Sequence, residues 1–518
     1  MLLQHYLDDW AARQPNAEFA ADRDRSISYG QALATANQIA HTLRAAGCQR
    51  GDRVATLTRN RIDYVLFCFG AAKAGVVTVP LNCQLEPAQW RDLLHDAGPR
   101  AILVEREFIH QIAPVLREQD HIAQRIVFDG GPGLDGWLHF DSWIEGAPTS
   151  APAVDLDPSD HLFQIYTSGT TGTPKGVVLS HAAVLANIAQ IDSVLQCRPG
   201  ERSLVTLPLF HAAILPTTLV PLARGGSLYV LARFHPSDVI RALNEERIAV
   251  ATLVPTMIGA CVAAAATEGF RPTHLRSLYY GASPISVTLL RAAMELFKCD
   301  FIQSYGLTEA TQAVTFLGPE EHRHALRGNA GLLQSAGRPA PGTEIRIEHN
   351  EDVMSAQAIG EILVRGPQLM DGYWQQMQTT EKALTDGWLR TGDVGMLDDD
   401  GYLYIKDRLK DIIISGGENV ASKAVEEVLQ SHPAVKDAAV IGVPDARWGE
   451  AVKGIVVLKN GAQCSPNELL AYCRDKLSSS QRPRSIDVVP SLPLSATGKI
   501  RKDVLRAPYW AHTSRSIA

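Results

Sequence analysis

No stretch of this chain strings together the roughly 18 apolar residues that a membrane-crossing helix needs. No pair among its 8 cysteines has C-x-x-C spacing, so neither a disulfide framework nor a zinc site is signalled, and a reduced cytoplasm is the expected compartment. Basic residues are not in excess. The 49 Lys+Arg stand against 56 Asp+Glu, and a net charge of −7 argues against a nucleic-acid partner. The start, MLLQHYLDDWAARQP, lacks the unbroken apolar stretch of a signal peptide because Asp8 and Asp9 interrupt it, and its spacing predicts a short amphipathic helix. Internal repeats and low-complexity tracts are missing too. What remains is an ordinary soluble composition, 46% apolar and 20% charged, over 518 residues. That length exceeds one core, so at least two domains are expected.

Short apolar runs alternate with helical patterns through most of the chain. LVTLP (204–208), GSLYVL (226–231), VATLVP (250–255) and SLYYGA (277–282) read as buried strands. HPSDVIRALNEERI (235–248) and SVTLLRAAMELF (286–297) read as the helices between them. This alternation predicts α/β layers with largely parallel strands. Past about residue 410 the pattern changes to DIIISG, KAVEEVLQSH, VKDAAVIGV and EAVKGIVVLK, followed by a helix capped by Ser465 and opened by Pro466. Residues 410–518 have the size of one small α+β domain.

The segment YTSGTTGTPKGVVLSH (166–181) follows the apolar run HLFQIY and precedes a helical pattern, HAAVLANIAQIDSVL. It offers hydroxyls, backbone N–H groups and Lys175 but few side chains to bury, which suits an anion. It is not the familiar nucleotide loop G-x-x-x-x-G-K-[ST]. Pro174 stands where the second glycine should be, and Gly176 follows Lys175 where a Ser or Thr would hold magnesium. A flexible linker is the plainer alternative, but the flanking strand and helix bound the segment tightly. Phosphate binding is the favoured reading.

Four further stretches gather glycines and reactive side chains: SYGLTE (304–309), GWLRTGDVG (387–395), KDRLKDIIISGGENV (406–420) and SATGKIRKDVLR (495–506). Singly each is weak. Together with the first, in this order, they resemble the motifs of the acyl-adenylate-forming superfamily: acyl- and aryl-CoA synthetases, adenylation domains of peptide synthetases, and luciferases. The resemblance runs from the N-terminal helix to ATGKIRK. It implies an α/β fold with a large multi-layer N-terminal domain (1–409) and a small mobile α+β C-terminal domain (410–518). It also implies two half-reactions. A carboxylate attacks the α-phosphate of ATP to give acyl-AMP and pyrophosphate, and a thiol then takes the acyl group as AMP leaves.

On matching positions, the resemblance assigns Thr167, Ser168, Gly169, Thr170, Thr171, Gly172 and Lys175 to the β- and γ-phosphates of ATP. Thr308 would hold the α-phosphate, and Glu309 with Thr170 would hold Mg2+. Tyr305, Gly306 and the turn Gly281, Ala282, Ser283 would contact adenine, with Gly281 and Gly306 also bordering the acyl group. Asp393 would accept the ribose hydroxyls, and Arg408 would add a donor there. Lys499 would offset charge while acyl-AMP forms. Lys410 would be the pivot, in an extended connector, and Gly417 and Asn419 would border the thiol path for CoA. The residue chemistry agrees, because two anions that must approach each other need donors and a counter-ion. Core packing for Tyr305 and a surface ion pair for Arg408 remain open at this level.

After GGEN the superfamily commonly continues with a tyrosine, a proline and an acidic pair. Here Ala421, Ser422 and Ala424 stand there and only the second acid, Glu426, is kept, while the basic-proline stretch before ATGKI reads SSSQRPRS. These changes touch the thiol side and leave adenylation intact. The stretch LPLFHAAILPTTLVPLARGG (207–226) resembles the acyl-pocket segment. No acid occurs from 202 to 237, so no partner for a substrate ammonium is supplied there. With His211, Ala212 and Ile214, the segment predicts an apolar slot. His211 reads equally as gate, wall or core histidine.

The expected function is an ATP-dependent acid–CoA ligase for a medium- or long-chain fatty acid. The alternatives are an aryl- or alicyclic-acid–CoA ligase, an enzyme loading a carrier-protein phosphopantetheine, and, last, an inactive binding protein of the same fold. Expected partners are the small-molecule acid, ATP and CoA, with no transmembrane segment. The oligomeric state is open, a homodimer included.

Overall fold

The computed structural model describes residues 1–130, 134–167, 174–270, 272–283, 285–349, 352–354, 357–494 and 500–510. The chain forms two compact units, Met1–Glu344 with Val364–Leu389, and Ile345–Leu363 with Arg390–Ala518.

Two large sheets organise the first unit. The nine-stranded sheet has the order Arg338–Pro339, Thr315–Leu317, Asp300–Tyr305, Ser277–Gly281, Ile248–Leu253, Arg202–Val205, Ser227–Val230, Glu18–Ala21, Ser26–Ser28. The strands from Asp300–Tyr305 through Glu18–Ala21 run parallel, and antiparallel strands finish both edges. The eight-stranded sheet has the order Gly372–Tyr373, Lys175–Ser180, His161–Thr167, Val77–Pro80, Arg53–Leu57, Ala101–Val104, Gln124–Val127, Leu138–His139. It too is parallel from His161–Thr167 to its far edge. Strands such as Ile248–Leu253 are buried at every residue. That is why they read as unbroken apolar runs rather than as alternation.

Helix Ile62–Ala74 is buried along its whole length. Its two charges are therefore paired: Asp63 with Arg25 and, at 2.9 Å, with Arg61, and Lys73 with Asp8. Buried Asn60 joins the connections of the two sheets. Its amide donates to the carbonyls of Leu207 (3.0 Å) and Leu231 (3.2 Å), and its Oδ1 accepts from Leu209 N (3.0 Å).

Residues at the end of the segment 166–181 form a strand, Lys175–Ser180, which leads into the expected helix His181–Leu195. Val177, Val178 and Leu179 are a short buried run with β-branched members, which favours extended backbone. The helix His181–Leu195 begins only after Ser180, whose Oγ accepts from Ala183 N at 3.4 Å.

In the second unit a five-stranded sheet contains Glu418–Val420, Ile413–Ser415, Gly449–Leu458 and Val435–Asp445 in order, with Ser485–Val488 parallel to Gly449–Leu458. Alternation sorts its faces. Ala438 and Val440 pack with Val425, Leu429 and Leu469 of two helices, while Ala439 and Ile441 join Ile455 and Leu492 on the other side. This is the α+β pattern expected past residue 410. A six-stranded sheet that includes Trp388–Leu397 and Leu403–Arg408 precedes it.

Candidate active site

The strands on either side of residues 168–173 pair with each other. His161–Thr167 and Lys175–Ser180 pair antiparallel with Thr167 opposite Lys175, so both loop ends leave the sheet together. Ser168, Gly169, Thr170, Thr171 and Gly172 lie outside the described residues. The stem is pinned at Tyr166, whose half-buried hydroxyl donates to Asp96 and accepts from Gln164 Nε2 (2.9 Å).

Lys175 and Glu309 come together at a residue that sequence reasoning missed, Tyr373. Its hydroxyl donates to Glu309 Oε1 at 3.0 Å, and Lys175 Nζ lies 4.8 Å from its ring centroid. Burial, and then Glu309, hold the phenol pKa above its usual value, so it stays a donor. The available signal was an aromatic after glycine in MDGYW, but nothing local connects it to either partner.

Gly281 and Ser304 are neighbours in register at the carboxyl ends of two parallel strands, so the 281–283 turn and Tyr305–Gly306 leave the sheet side by side. Such strand ends are where open α/β sheets bind ligands. Two glycines are obligatory there. A Cβ on Gly306 would lie 1.6 Å from the Gln312 carbonyl oxygen, and one on Gly281 would lie 2.4 Å from that of Ser304. Ala282 holds φ at +68°, left-handed backbone that strains any residue with a Cβ. Thr308 and Glu309 open a 3-10 turn, Thr308–Ala310. Two buried contacts brace the backbone just beyond this turn. Asn187, on helix His181–Leu195, exchanges two bonds with Ala313 (2.9 and 3.0 Å), and Thr311 Oγ1 donates to the Gln368 carbonyl at 2.7 Å. Tyr305 is half-buried.

In the acyl segment His211 is half-buried with its ring against Phe210, centroids 4.6 Å apart, while Ala212 and Ile214 are buried. A π-helical turn, Leu215–Leu219, comes next. Pro216 and Pro221 lack N–H groups, and Thr217 and Thr218 donate back to the carbonyls of Ala213 (2.6 Å) and Ile214. Such turns are frequent at functional sites.

The second unit brings Asp393 and Arg408 together. They face each other across paired strands, with Arg408 Nε 3.1 Å from Asp393 Oδ1. The Arg408 side chain is 48% exposed and that of Asp393 8%, so the acid is fixed and the cation reaches outward. Lys410 lies in a 3-10 turn, Leu409–Asp411, not in an extended connector. Arg506 holds that turn closed, and no signal local to DRLKD announces it. Gly416 and Gly417, φ +62° and +86°, form the two-residue loop of a hairpin whose second strand carries Asn419. Lys499 lies outside the described residues.

Ser422 occupies the position where the superfamily commonly has proline. Unlike proline it has an N–H, and both that N–H and its Oγ (2.8 Å) donate to Asp407 Oδ2. Lys502 Nζ donates to Ser422 Oγ (2.6 Å) and meets Glu426 Oε1 at 2.7 Å. The guanidiniums of Arg447 and Arg484 lie 4.8 and 5.1 Å from the Trp448 ring, and the Trp448 carbonyl accepts from Gly416 N at 2.8 Å. Sequence reasoning missed this group.

Among the described residues no cluster of three or more His, Cys, Asp or Glu could hold a metal. Tyr373 engages only Oε1 of Glu309, and among the described residues no donor is seen on its other carboxylate oxygen. One carboxylate assisted by substrate phosphates is the usual way magnesium is held, so this donor set fits that ion. No helix among the described residues is long and apolar enough to cross a membrane.

Parallel strand ends, a Gly/Thr/Lys segment between paired strands and a second unit with an Asp–Arg pair define a protein of the adenylate-forming class. The chain belongs to the AMP-binding enzyme family, which matches residues 7–374, and the AMP-binding enzyme C-terminal domain matches residues 424–499. It is 34% identical to the fatty acid–[acyl-carrier-protein] ligase ScoC of Streptomyces coeruleorubidus, over 98% of this chain and 96% of that one. It is 35% identical to the long-chain-fatty-acid–CoA ligase FadD13 of Mycobacterium tuberculosis, over 94% of each. Among solved structures, the anthranilate CoA ligase AuaEII in complex with anthranoyl-AMP superposes with a TM-score of 0.91 at 27% identity, covering 99% of this chain and 98% of that one.

Proposed function

We propose that this protein is an AMP-forming acid–CoA ligase acting on an apolar carboxylic acid, most fittingly a medium- or long-chain fatty acid. The observation that carries the reading is the meeting of Lys175, at the exit of the phosphate loop, with Glu309, from the next motif, on one tyrosine. A substrate carboxylate oxygen attacks the α-phosphorus and pyrophosphate leaves. A thiol sulfur then attacks the acyl carbon, AMP leaves, and the thiol proton passes to solvent. Lys175 and the loop hydroxyls bind the outer phosphates, Thr308 the α-phosphate, Asp393 and Arg408 the ribose, and Lys499 the charge that grows between the two anions. Glu309 with Thr170 would hold magnesium, which would supply charge neutralisation at the phosphates. The division into residues 1–409 and a mobile 410–518 belongs to the same reading, as do Lys410 as pivot and Gly417 and Asn419 on the thiol path.

Burial of Ala212 and Ile214 and the acid-free stretch 202–237 support a neutral acyl tail. Trp448 between two arginines supports a thiol that carries a purine and phosphates, as CoA does. Eight free cysteines suit a reducing cytoplasm. Pyrophosphate release across an acid panel, with and without CoA, tests the reading. Octanoate through palmitate should outpace every proteinogenic amino acid and aryl acid, and acyl-CoA should appear. Faster release with leucine or phenylalanine overturns the acyl assignment, and turnover only with a carrier protein overturns CoA.

A further inference from the structure

We propose that Tyr373 is a positioning residue that keeps Lys175 and Glu309 apart, leaving the cation free for the phosphates of ATP and the carboxylate free for the metal ion. The inference rests on the reading of Lys175 and Glu309 given above.

The two charged groups are recruited to opposite parts of one side chain. The ring face takes the Lys175 ammonium, 4.8 Å from the centroid, and the hydroxyl at the ring's end takes Glu309 Oε1 at 3.0 Å. No ion pair joins Lys175 to Glu309, although both reach the same ring. A lysine and a glutamate that reach the same side chain would, with nothing between them, close into a direct ion pair, which is stronger than either contact they now make. That pair would have to break before ATP and its metal could bind. An aromatic ring with a terminal hydroxyl holds both charges weakly and keeps them apart.

The backbone around Tyr373 fixes it in that role. Asp371 N donates to the Val178 carbonyl (3.0 Å) and Trp374 N to the Gly176 carbonyl (2.7 Å), tying the segment to the strand that begins at Lys175. Met370 N donates to the carbonyl of Glu309 itself at 2.9 Å. Tyr373 N donates to Thr380 Oγ1 at 2.9 Å. The spacer is thus anchored to the backbones of both groups it separates. Phenylalanine would keep the ring face and lose only the hydroxyl. Leucine would lose both.

The test uses the full-length protein. ATP binding is titrated calorimetrically in EDTA, where Glu309 has no metal to bind and only the availability of Lys175 is read. Tyr373→Leu should weaken metal-free ATP binding by about tenfold, because Lys175 closes onto Glu309. Adding Glu309→Gln to that variant should restore most of the loss, since an amide cannot hold the ammonium. Tyr373→Phe should bind metal-free ATP within about threefold of wild type, yet need about fivefold more Mg2+ for half-maximal pyrophosphate release. A merely structural tyrosine would not be rescued by a second substitution at Glu309, so failure of that rescue in a folded double variant overturns the proposal. Should Tyr373→Leu not fold, an unchanged Mg2+ requirement in Tyr373→Phe overturns it instead. A wild-type protein that releases no pyrophosphate from ATP with any acid would sink the ligase reading, a different outcome from either of these.

Discussion

Arg506 grips the turn that carries Lys410: its Nη1 lies 2.9 Å from Asp411 Oδ1 and donates at 3.0 Å to the Lys410 carbonyl. Both side chains of the pair are 12% exposed. Removing one partner of a largely buried pair strands the other charge, a loss of about 3 kcal/mol. Arg506→Met and Asp411→Leu should each lower stability by that order, and the double variant should recover most of it. A double-mutant cycle on urea unfolding checks this, and a coupling below about 0.5 kcal/mol would mark the pair as an ordinary surface contact.

Proline at 410 probes the pivot. Its φ suits a 3-10 turn, but it pushes the preceding Leu409 out of helical backbone, so Lys410→Pro disfavours the turn seen here. If residues 410–518 must swing between half-reactions, the two should then differ by at least about tenfold in their response. Single-turnover pyrophosphate release and thioester formation from synthetic acyl-AMP measure them separately. Equal slowing of both, or of neither, rules out a pivot at Lys410. Gly417→Leu, at φ +86°, is the companion variant and should impair the thiol step alone.

Lys499→Ala should reduce adenylation by about two orders of magnitude, the effect expected when a cation that stabilises developing charge is lost. Thioester formation started from acyl-AMP and CoA should be nearly unchanged. Matching losses in the two assays would make Lys499 structural.

Gly306→Ala places a methyl group 1.6 Å from the Gln312 carbonyl oxygen, and backbone on both sides leaves nothing flexible to yield. The turn that presents Thr308 and Glu309 must shift. Adenylation should fall by about a hundredfold or more while a far-ultraviolet spectrum stays native-like, because only one turn is displaced. Wild-type rates in this variant would mean that the turn geometry is not used in catalysis.

Acid sensitivity should trace in part to His322. It is fully buried, with Nε2 2.9 Å from Tyr280 Oη and Nδ1 2.6 Å from the Gly318 carbonyl, and burial pulls its pKa from 6.5 down to about 4. The unfolded chain therefore takes up a proton below 6.5 that the folded protein refuses until about 4. Stability is fully present above pH 6.5 and falls as the pH drops toward 4. His181, also near 4 through burial, adds to the same trend. Urea midpoints measured across this window should decline, and His322→Gln should flatten the decline. A slope unchanged by that substitution would assign the acid sensitivity elsewhere.

Local chemistry makes much of this protein legible in its sequence alone. Continuous apolar runs mark Ile248–Leu253 and Ser277–Gly281 as strands covered on both faces, and a 3.6-residue period marks His181–Leu195 as a helix. Gly416–Gly417 announces a turn because only glycine takes two positive φ values in succession without strain. Asp393 and Arg408 can be named from their motifs, and strand pairing sets them opposite each other. Other features depend on contacts that no local pattern encodes. Lys175–Ser180 is a strand because it pairs with both His161–Thr167 and Gly372–Tyr373, although its own six residues lie between a glycine-rich loop and a helix. Tyr373 reaches Lys175 and Glu309 only because a distant segment lies at the sheet edge beside Lys175. Arg506 closes the Lys410 turn from a helix almost a hundred residues further along the chain. Periodicity and turn chemistry act between neighbours in sequence and so survive in the sequence. Strand order and side-chain reach act between neighbours in space, and only the folded chain determines which residues those are.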